Sequence, residues 1–174
     1  MAKLEIIEYP DPLLRQQAVP VKQFDESTHL LVTNLLDTLY STSGIGLCAP
    51  QVGQSVQMLV MDLSDSKNHP EVFINPVILA KAGFAIADES CLSIPGVSAK
   101  VIRSGVINIR AQNQDGTLFE QEYEGMKAIC LQHEIDHLEG KLFIDRLSRI
   151  RQFRFRQTLH RLENNAASSI LQPA

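Results

Sequence analysis

Two histidines four residues apart, with a glutamate beside the first, are the residues of this sequence best suited to do chemistry. They lie in the run His133-Glu134-Ile135-Asp136-His137, an HExxH motif. Because four residues make slightly more than one helical turn, both imidazoles project from one face and can bind the same metal ion. The Glu134 carboxylate can take a proton from a water molecule beside them. The motif predicts a hydrolytic metal site, and the alternative is two hydrogen-bonded histidines on a partly buried helix.

A catalytic metal site needs a third protein ligand, and the sequence offers three candidates. In metzincin-type sites a third histidine lies six residues after the second, but Phe143 occupies that position here. In another class of peptidase a downstream glutamate completes the site, yet residues 154–161 contain no acid and the next is Glu163. The third candidate is Cys91, which lies far upstream of the two histidines.

The HExxH motif lies in a predicted helix that begins near Gly125 and ends at Gly140, a residue type favoured just beyond a helix C-terminus. The histidine face also carries apolar residues, namely Met126, Ile129 and Cys130. A second apolar stripe follows Ala128, Leu131, Ile135 and Leu138. A helix that is apolar on two sides lies inside a fold, so both histidines should point inward.

Other helices are predicted before and after the central part of the chain. An N-terminal helix should follow its capping residue Asp25, carry a stripe of Leu31, Leu35 and Leu39, and stop before Ser43. A C-terminal helix is predicted over about 148–163, followed by a flexible tail at about 164–174.

The central part of the chain is predicted to form strands. Short apolar runs between residues 56 and 111, such as Met58–Met61 and Val106–Ile109, are β-like, and Asp115-Gly116 marks a hairpin turn. We therefore predict an α+β fold in which mixed or antiparallel strands pack around the HExxH helix.

Length and composition favour one compact domain spanning residues 1–174. The chain has 174 residues, 44% of them hydrophobic, and a net charge of -4, which disfavours binding of nucleic acid by the protein as a whole. Neither a signal peptide nor an apolar run long enough to span a membrane is visible. An odd cysteine count (Cys48, Cys91, Cys130) without a secretion signal favours a reducing, cytoplasmic location.

Three short segments, in this order, resemble the motifs of the peptide deformylase family. They are Gly44–Gln51 (GIGLCAPQ), Glu89–Ser93 (ESCLS) and Gln132–Gly140 (QHEIDHLEG), against family patterns GxGxAAxQ, EGCLS and QHExDHLxG. The likeness covers roughly residues 3 to 163. Cys48 stands where alanine is usual and should pack similarly. Ser90 stands where glycine is usual, and would be strained if the position required positive φ.

The resemblance is to the bacterial iron-dependent type with a C-terminal helix. It implies a metallohydrolase that removes the formyl group from the N-terminal formyl-methionine of new proteins and releases formate. It also implies roles for residues: Glu134 as the catalytic acid and base, Gln51 and the Leu92 N–H as oxyanion donors, and Cys91, His133 and His137 as metal ligands. The implied cofactor is one divalent ion, Fe²⁺ in the cell, replaceable by Ni²⁺ or Co²⁺. Two imidazoles and a thiolate alone would suggest Zn²⁺.

Residues beside the motifs are candidates for binding the substrate. Gly44 and Gly46 would let the substrate backbone approach closely. Ile45, Ile129 and Cys130 are apolar and could accept the methionine side chain, although each could equally be ordinary core. The same glycines match a loose dinucleotide-binding pattern, but that pattern should follow a strand and open a helix, whereas this one follows a helix and runs into Pro50.

Arginines crowd the end of the chain, at Arg146, Arg149, Arg151, Arg154, Arg156 and Arg161. They could form a solvated helix face, or they could attract RNA phosphates, and the family resemblance suggests contact with the ribosome. The protein is expected to be a monomer. Two other functions stay open: a zincin-type peptidase that cleaves internal bonds, disfavoured by the missing third histidine and glutamate, and a non-catalytic metal- or RNA-binding protein, disfavoured by the intact Glu134.

Overall fold

The structure, a computed structural model, describes residues 3–155 and 157. By its internal contacts the chain divides into two compact units, Met1–Phe143 and Ile144–Ala174. The first unit contains all the strands of the described residues and the first two helices. In the second unit the chain is helical at residues 149–155 and 157. The single-domain organisation over residues 1–174 stays a prediction.

Two helices of the first unit lie where the sequence predicted them, each ending slightly before the predicted end. Helix α1 spans Glu26–Tyr40, and the Asp25 carboxylate at its N-terminus accepts hydrogen bonds from the Ser27 and Thr28 N–H groups at 3.0 and 3.2 Å. This interaction satisfies backbone donors that the helix itself leaves unpaired. Helix α2 spans Gly125–Leu138, and the chain leaves it through Gly140, whose φ is +70°. A positive φ suits glycine, which explains where this helix stops.

The described residues form two antiparallel sheets. The strands are β1 (Gly46–Cys48), β2 (Met58–Met61), β3 (Glu71–Ala82), β4 (Ala85–Cys91), β5 (Ile94–Arg103), β6 (Val106–Gln112) and β7 (Leu118–Glu124). Five of them pair in the order β1-β2-β3-β6-β7, while β4 and β5 form a separate hairpin. The Asp115-Gly116 turn joins β6 to β7, as predicted.

The larger sheet lies between α1 and α2 at its β1–β2 end. Met58 and Val60 of β2 pack in the core cluster that contains the apolar face of α1. Leu59 and Met61 point the opposite way, into the cluster that contains α2. Since successive side chains of a strand face opposite sides, a strand covered on both sides must be apolar throughout, which explains the unbroken apolar run of β2. The same alternation places Cys48 of β1 on the α2 side.

The predicted α+β fold is confirmed, with the HExxH helix packed against the antiparallel sheet. The only parallel pairing in the described residues is an isolated bridge between Val19 and Val56. A short 3-10 helix lies at Pro12–Arg15, before α1. Of the predicted C-terminal helix, residues 156 and 158–163 lie outside the described residues, as does the predicted tail. Within the described part of the chain, no helix has the length and apolar character needed to cross a membrane.

Candidate metal centre and active site

Cys91, His133 and His137 converge on one point inside the protein. Cys91 ends β4, and the two histidines lie one turn apart on α2. One donor atom from each lies within 4.8 Å of the other two, and all three residues are buried. The Cys91 Sγ atom is 3.2 Å from His137 Nε2. A thiolate and two imidazoles that converge in this way fit one divalent transition-metal ion and leave a position open for substrate or water.

Glu134 lies beside this cluster and is buried, with 4% of its surface exposed. Its Oε2 atom has no hydrogen-bond partner among the described residues. Burial raises the pKa of this carboxyl above its ordinary value, although His133 and Cys48 oppose the shift. A carboxyl whose pKa is raised in this way is suited to accept a proton and then donate it.

The side chain of Gln51 is fixed so that its N–H groups face the cluster. Its Oε1 atom accepts hydrogen bonds from the Cys48 backbone N–H at 2.9 Å and from the Cys48 thiol at 3.2 Å. The amide nitrogen therefore points the other way, 3.6 Å from Cys91 Sγ and 3.3 Å from Ser93 Oγ. Gln51 is itself almost fully buried, so its amide is held in this orientation rather than exchanging with solvent.

Two glycines of the first motif bring the three motifs into contact. A Cβ atom added to Gly44 would lie 2.8 Å from the Leu92 side chain of the second motif. A Cβ atom added to Gly46 would lie 2.7 Å from both Cys130 Sγ and Glu134 Oε1 on α2. Distances this short are not tolerated between real atoms, so only glycine allows β1 to approach the helix so closely.

A cavity of about 710 Å³ opens beside the cluster. The structure places all five predicted substrate-binding residues on its wall, namely Gly44, Ile45, Gly46, Ile129 and Cys130. Gln51, Leu92, Cys91, His133 and Glu134 also line it. Sequence reasoning missed Ala87, Ile94 and Val97, because the β4–β5 hairpin that supplies them was not predicted in register. Met126 also lines the cavity, and its position on the histidine face was the signal that could have identified it.

Sequence reasoning also missed a set of buried charges behind His133. Glu89 lies 2.8 Å from His133 Nδ1, and Arg103 forms an ion pair with the same carboxylate. Burial alone would raise the pKa of Glu89, but hydrogen bonds from Arg103 and His133 lower it. Glu89 is therefore an ionised acceptor for the His133 ring. Burial lowers the pKa of His137 well below its usual range, which keeps that ring neutral and able to bind a metal.

Phe143 and Ser90 are two positions that stand out in the sequence, and the structure accounts for both. Phe143, at the metzincin ligand position, is buried and stacks on the His133 ring with 6.1 Å between ring centroids. It supports a ligand histidine and offers no donor atom. Ser90 lies within β4 and does not have a positive φ, so serine is not strained there.

Comparison with known proteins identifies the family. Residues 3–153 match the polypeptide deformylase family. The chain belongs to the peptide deformylase family. It is 48% identical over 163 residues to the peptide deformylase of Alkalilimnicola ehrlichii, an alignment that covers 93% of this chain and 92% of that protein.

Solved deformylase structures have the same fold. The peptide deformylase of Legionella pneumophila superposes with a TM-score of 0.88 at 39% identity, covering 99% of this chain and all of that one. The Thermotoga maritima enzyme gives 0.81 at 41% identity, covering 85% of this chain and 99% of the other. The chain is thus a metallohydrolase that removes the formyl group from the N-formylmethionine of nascent peptides. Its Cys/His/His group is typical of deformylases.

Proposed function

We propose that this deformylase uses Glu134 as its acid and base, with Gln51 and the Leu92 N–H as donors to the oxyanion. The observation that carries the proposal is the fixed orientation of Gln51. Its Oε1 atom is held by Cys48, and its N–H groups face the same cavity that Glu134 lines. A donor held in place before reaction loses little energy to reorganisation when charge develops on the substrate.

The metal ligands in this proposal are Cys91, His133 and His137. When bound, a divalent ion supplies Lewis acidity and lowers the pKa of water. We assign Fe²⁺ as the ion in the cell from the likeness to the iron-dependent deformylases, with Ni²⁺, Co²⁺ or Zn²⁺ able to replace it in purified protein. The mixed thiolate and imidazole donor set is compatible with each of these ions.

Glu134 carries the proton that passes from water to the leaving nitrogen. Glu134 accepts a proton from the attacking water as the new C–O bond forms at the formyl carbon. Gln51 and the Leu92 N–H stabilise the negative charge that develops on the formyl oxygen. Glu134 then donates its proton to the peptide nitrogen as the C–N bond breaks, which gives a free N-terminal amine and formic acid, and the acid loses its remaining proton to become formate.

The cavity also supports a preference for formyl-methionine. Ile45, Ile129 and Cys130 give its wall an apolar portion suited to a thioether side chain. At Gly46, strand β1 packs closely against α2 beside Glu134. A formyl carbon carries only hydrogen, so it should enter where an acetyl methyl group would clash. We therefore expect N-acetyl peptides to be poor substrates.

The substrates are formylated nascent chains, and we propose that the protein acts in the cytoplasm as a monomer that contacts the ribosome through its arginine-rich C-terminal helix. Arg149, Arg151 and Arg154 fall in the helical residues 149–155 and are exposed. Contact with RNA phosphates should weaken as salt is raised. If replacing these three arginines by glutamine left ribosome co-sedimentation at low salt unchanged, this part of the proposal would be wrong.

The decisive experiment measures formate released from N-formyl-Met-Ala-Ser by protein purified anaerobically with Fe²⁺ or Ni²⁺. The matched variant is Glu134→Ala, and N-acetyl-Met-Ala-Ser is the control substrate. We expect formate from the native protein only, with equal metal content in the variant. Full activity of a metal-loaded Glu134→Ala protein would remove Glu134 from its proposed role. Formate from neither protein, at one metal per chain, would contradict the assigned activity.

A further inference from the structure

Arg103, at the end of β5, lies deep in the protein yet has no place in the mechanism above. Its side chain is only 2% exposed, and it is the one buried lysine or arginine among residues 3–155. Taking a guanidinium out of water is costly unless its donors are satisfied by well-placed acceptors. The groups that contact the Arg103 guanidinium therefore indicate the role of this buried charge.

The guanidinium bridges two carboxylates on different elements. Its Nε and Nη2 atoms donate to the two oxygens of Glu89 on β4, at 2.7 and 2.9 Å. Its Nη1 atom donates to Asp136 on α2, at 2.5 Å. The two-pronged contact with Glu89 fixes the plane of that carboxylate as well as its position, which a lysine ammonium could not do.

Both carboxylates are next to metal ligands. Glu89 precedes Cys91 by two residues on β4, and its Oε2 atom is 2.8 Å from His133 Nδ1. Nδ1 donates to Glu89 in this contact, so Nε2 is the ring nitrogen that is left to bind an ion. Asp136 directly precedes His137 on α2.

A second contact holds the same stretch of α2 against the end of β5. The Gln132 side chain accepts a hydrogen bond from the Ser104 N–H at 3.0 Å and donates one to the Ser104 carbonyl at 2.9 Å. Arg103 Nη1 is also 3.5 Å from the Gln132 carbonyl. The Gln and Asp of the QHEIDH segment thus join α2 to β5, and the hairpin that carries Cys91 is held in register with the helix that carries the histidines.

We infer that Arg103 is a positioning residue of the metal centre, which holds Glu89 as the acceptor for His133 and locks the β4–β5 hairpin to α2 through Asp136. The inference rests on the proposed ligand role of Cys91, His133 and His137. Replacing a residue that hydrogen-bonds to metal ligands, without binding the metal itself, typically weakens metal affinity by about 10- to 100-fold. Arg103 should therefore act on metal affinity and on the His133 tautomer, and not merely on stability.

The test uses two variants. Arg103→Lys keeps the buried positive charge but loses the planar guanidinium that donates to both oxygens of Glu89. Glu89→Gln keeps the size of the acceptor side chain but loses its charge. Zn²⁺ affinity is measured by competition with a chromophoric chelator. The His133 ring nitrogens are observed by ¹⁵N NMR of the zinc-loaded protein. Leu35→Ala is the control for stability alone, since Leu35 is buried in the core cluster on the α1 side of the sheet.

We expect both test variants to bind Zn²⁺ about 10-fold or more weakly and to lose the wild-type Nδ1–H signal of His133. Leu35→Ala should melt at lower temperature with unchanged affinity below its transition. Wild-type affinity and an unchanged His133 spectrum in the folded test variants would overturn the inference while leaving the proposed function intact. Failure of the wild-type protein to bind Zn²⁺ would instead overturn the metal site itself.

Discussion

Gly46 lies where β1 comes closest to the catalytic helix, and its replacement by alanine tests how tightly Glu134 must be held. The added Cβ atom would lie 2.7 Å from Glu134 Oε1 and 2.7 Å from Cys130 Sγ. Comfortable contact begins near ~3.5 Å, so these atoms or β1 must move by somewhat less than ~1 Å. Both neighbours are buried and also line the cavity, so the added methyl group would displace them toward the space that the substrate needs.

A displacement of this size should reduce catalysis more than stability. Misplacing a catalytic group by about 1 Å can cost about 100-fold in rate, so we expect Gly46→Ala to lower kcat/KM by roughly 10- to 100-fold. Overpacking a core typically costs about 1–3 kcal/mol. For a protein of this size that corresponds to a fall in Tm of roughly 2–12 °C.

The assay is formate release under saturating and limiting substrate, with metal content and Tm measured on the same samples. Gly105→Ala is the matched control, because a Cβ atom there would lie 3.5 Å from the Phe84 carbonyl oxygen, an ordinary contact. That variant should keep its activity and its stability within about 0.5 kcal/mol. Normal kcat/KM in a metal-loaded Gly46→Ala protein would refute the claim that the position of Glu134 is set by this contact.

Three further changes test other parts of the structure. Gln51→Leu removes the fixed amide and should lower kcat by about 100- to 1000-fold with little change in KM, as steady-state kinetics would show. Gly140→Ala forces a side chain into a φ of +70° and against the Arg15 carbonyl oxygen, so the Tm should fall by several degrees in calorimetry. Asp62→Asn should lower the free energy of unfolding at pH 7 by roughly 2 kcal/mol in urea titrations. Burial alone would raise the pKa of Asp62, but hydrogen bonds from Ser64, Tyr40 and His69 lower it to about 2. The stabilisation by the ionised carboxylate is complete above the unfolded pKa of about 3.9 and is lost as the pH falls through about 2. The free energies of unfolding of the wild-type and variant proteins should therefore converge near pH 2. A constant difference between them from pH 7 to pH 2 would contradict this reasoning.

The parts of the fold that could be predicted from the sequence are those that depend on local patterns of residues. The four-residue spacing of His133 and His137 has one geometric meaning on a helix, and Asp25 and Gly140 mark helix ends by backbone chemistry that acts over a few residues. The three motifs are enough to recognise the family and its metal-binding group from the sequence alone.

The charges behind the ligands could not be predicted, because nothing local distinguishes them. Arg103 lies in the run Val101-Ile102-Arg103-Ser104, where an arginine would ordinarily be expected to face solvent. Its acceptors are 14 and 33 residues away in the sequence. Their meeting depends on the register of β4 with β5 and on how that hairpin docks on α2, which are properties of the assembled fold.

The separation of the β4–β5 hairpin from the larger sheet bears on how long an ion stays bound. In the described part of the chain no strand of the five-stranded sheet forms a backbone ladder with the hairpin, so local opening of the hairpin need not break the larger sheet. Such an opening would carry Cys91 away from the two histidines. Ion escape would then be a partial unfolding event, and the residence time of the ion would report how often this hairpin opens.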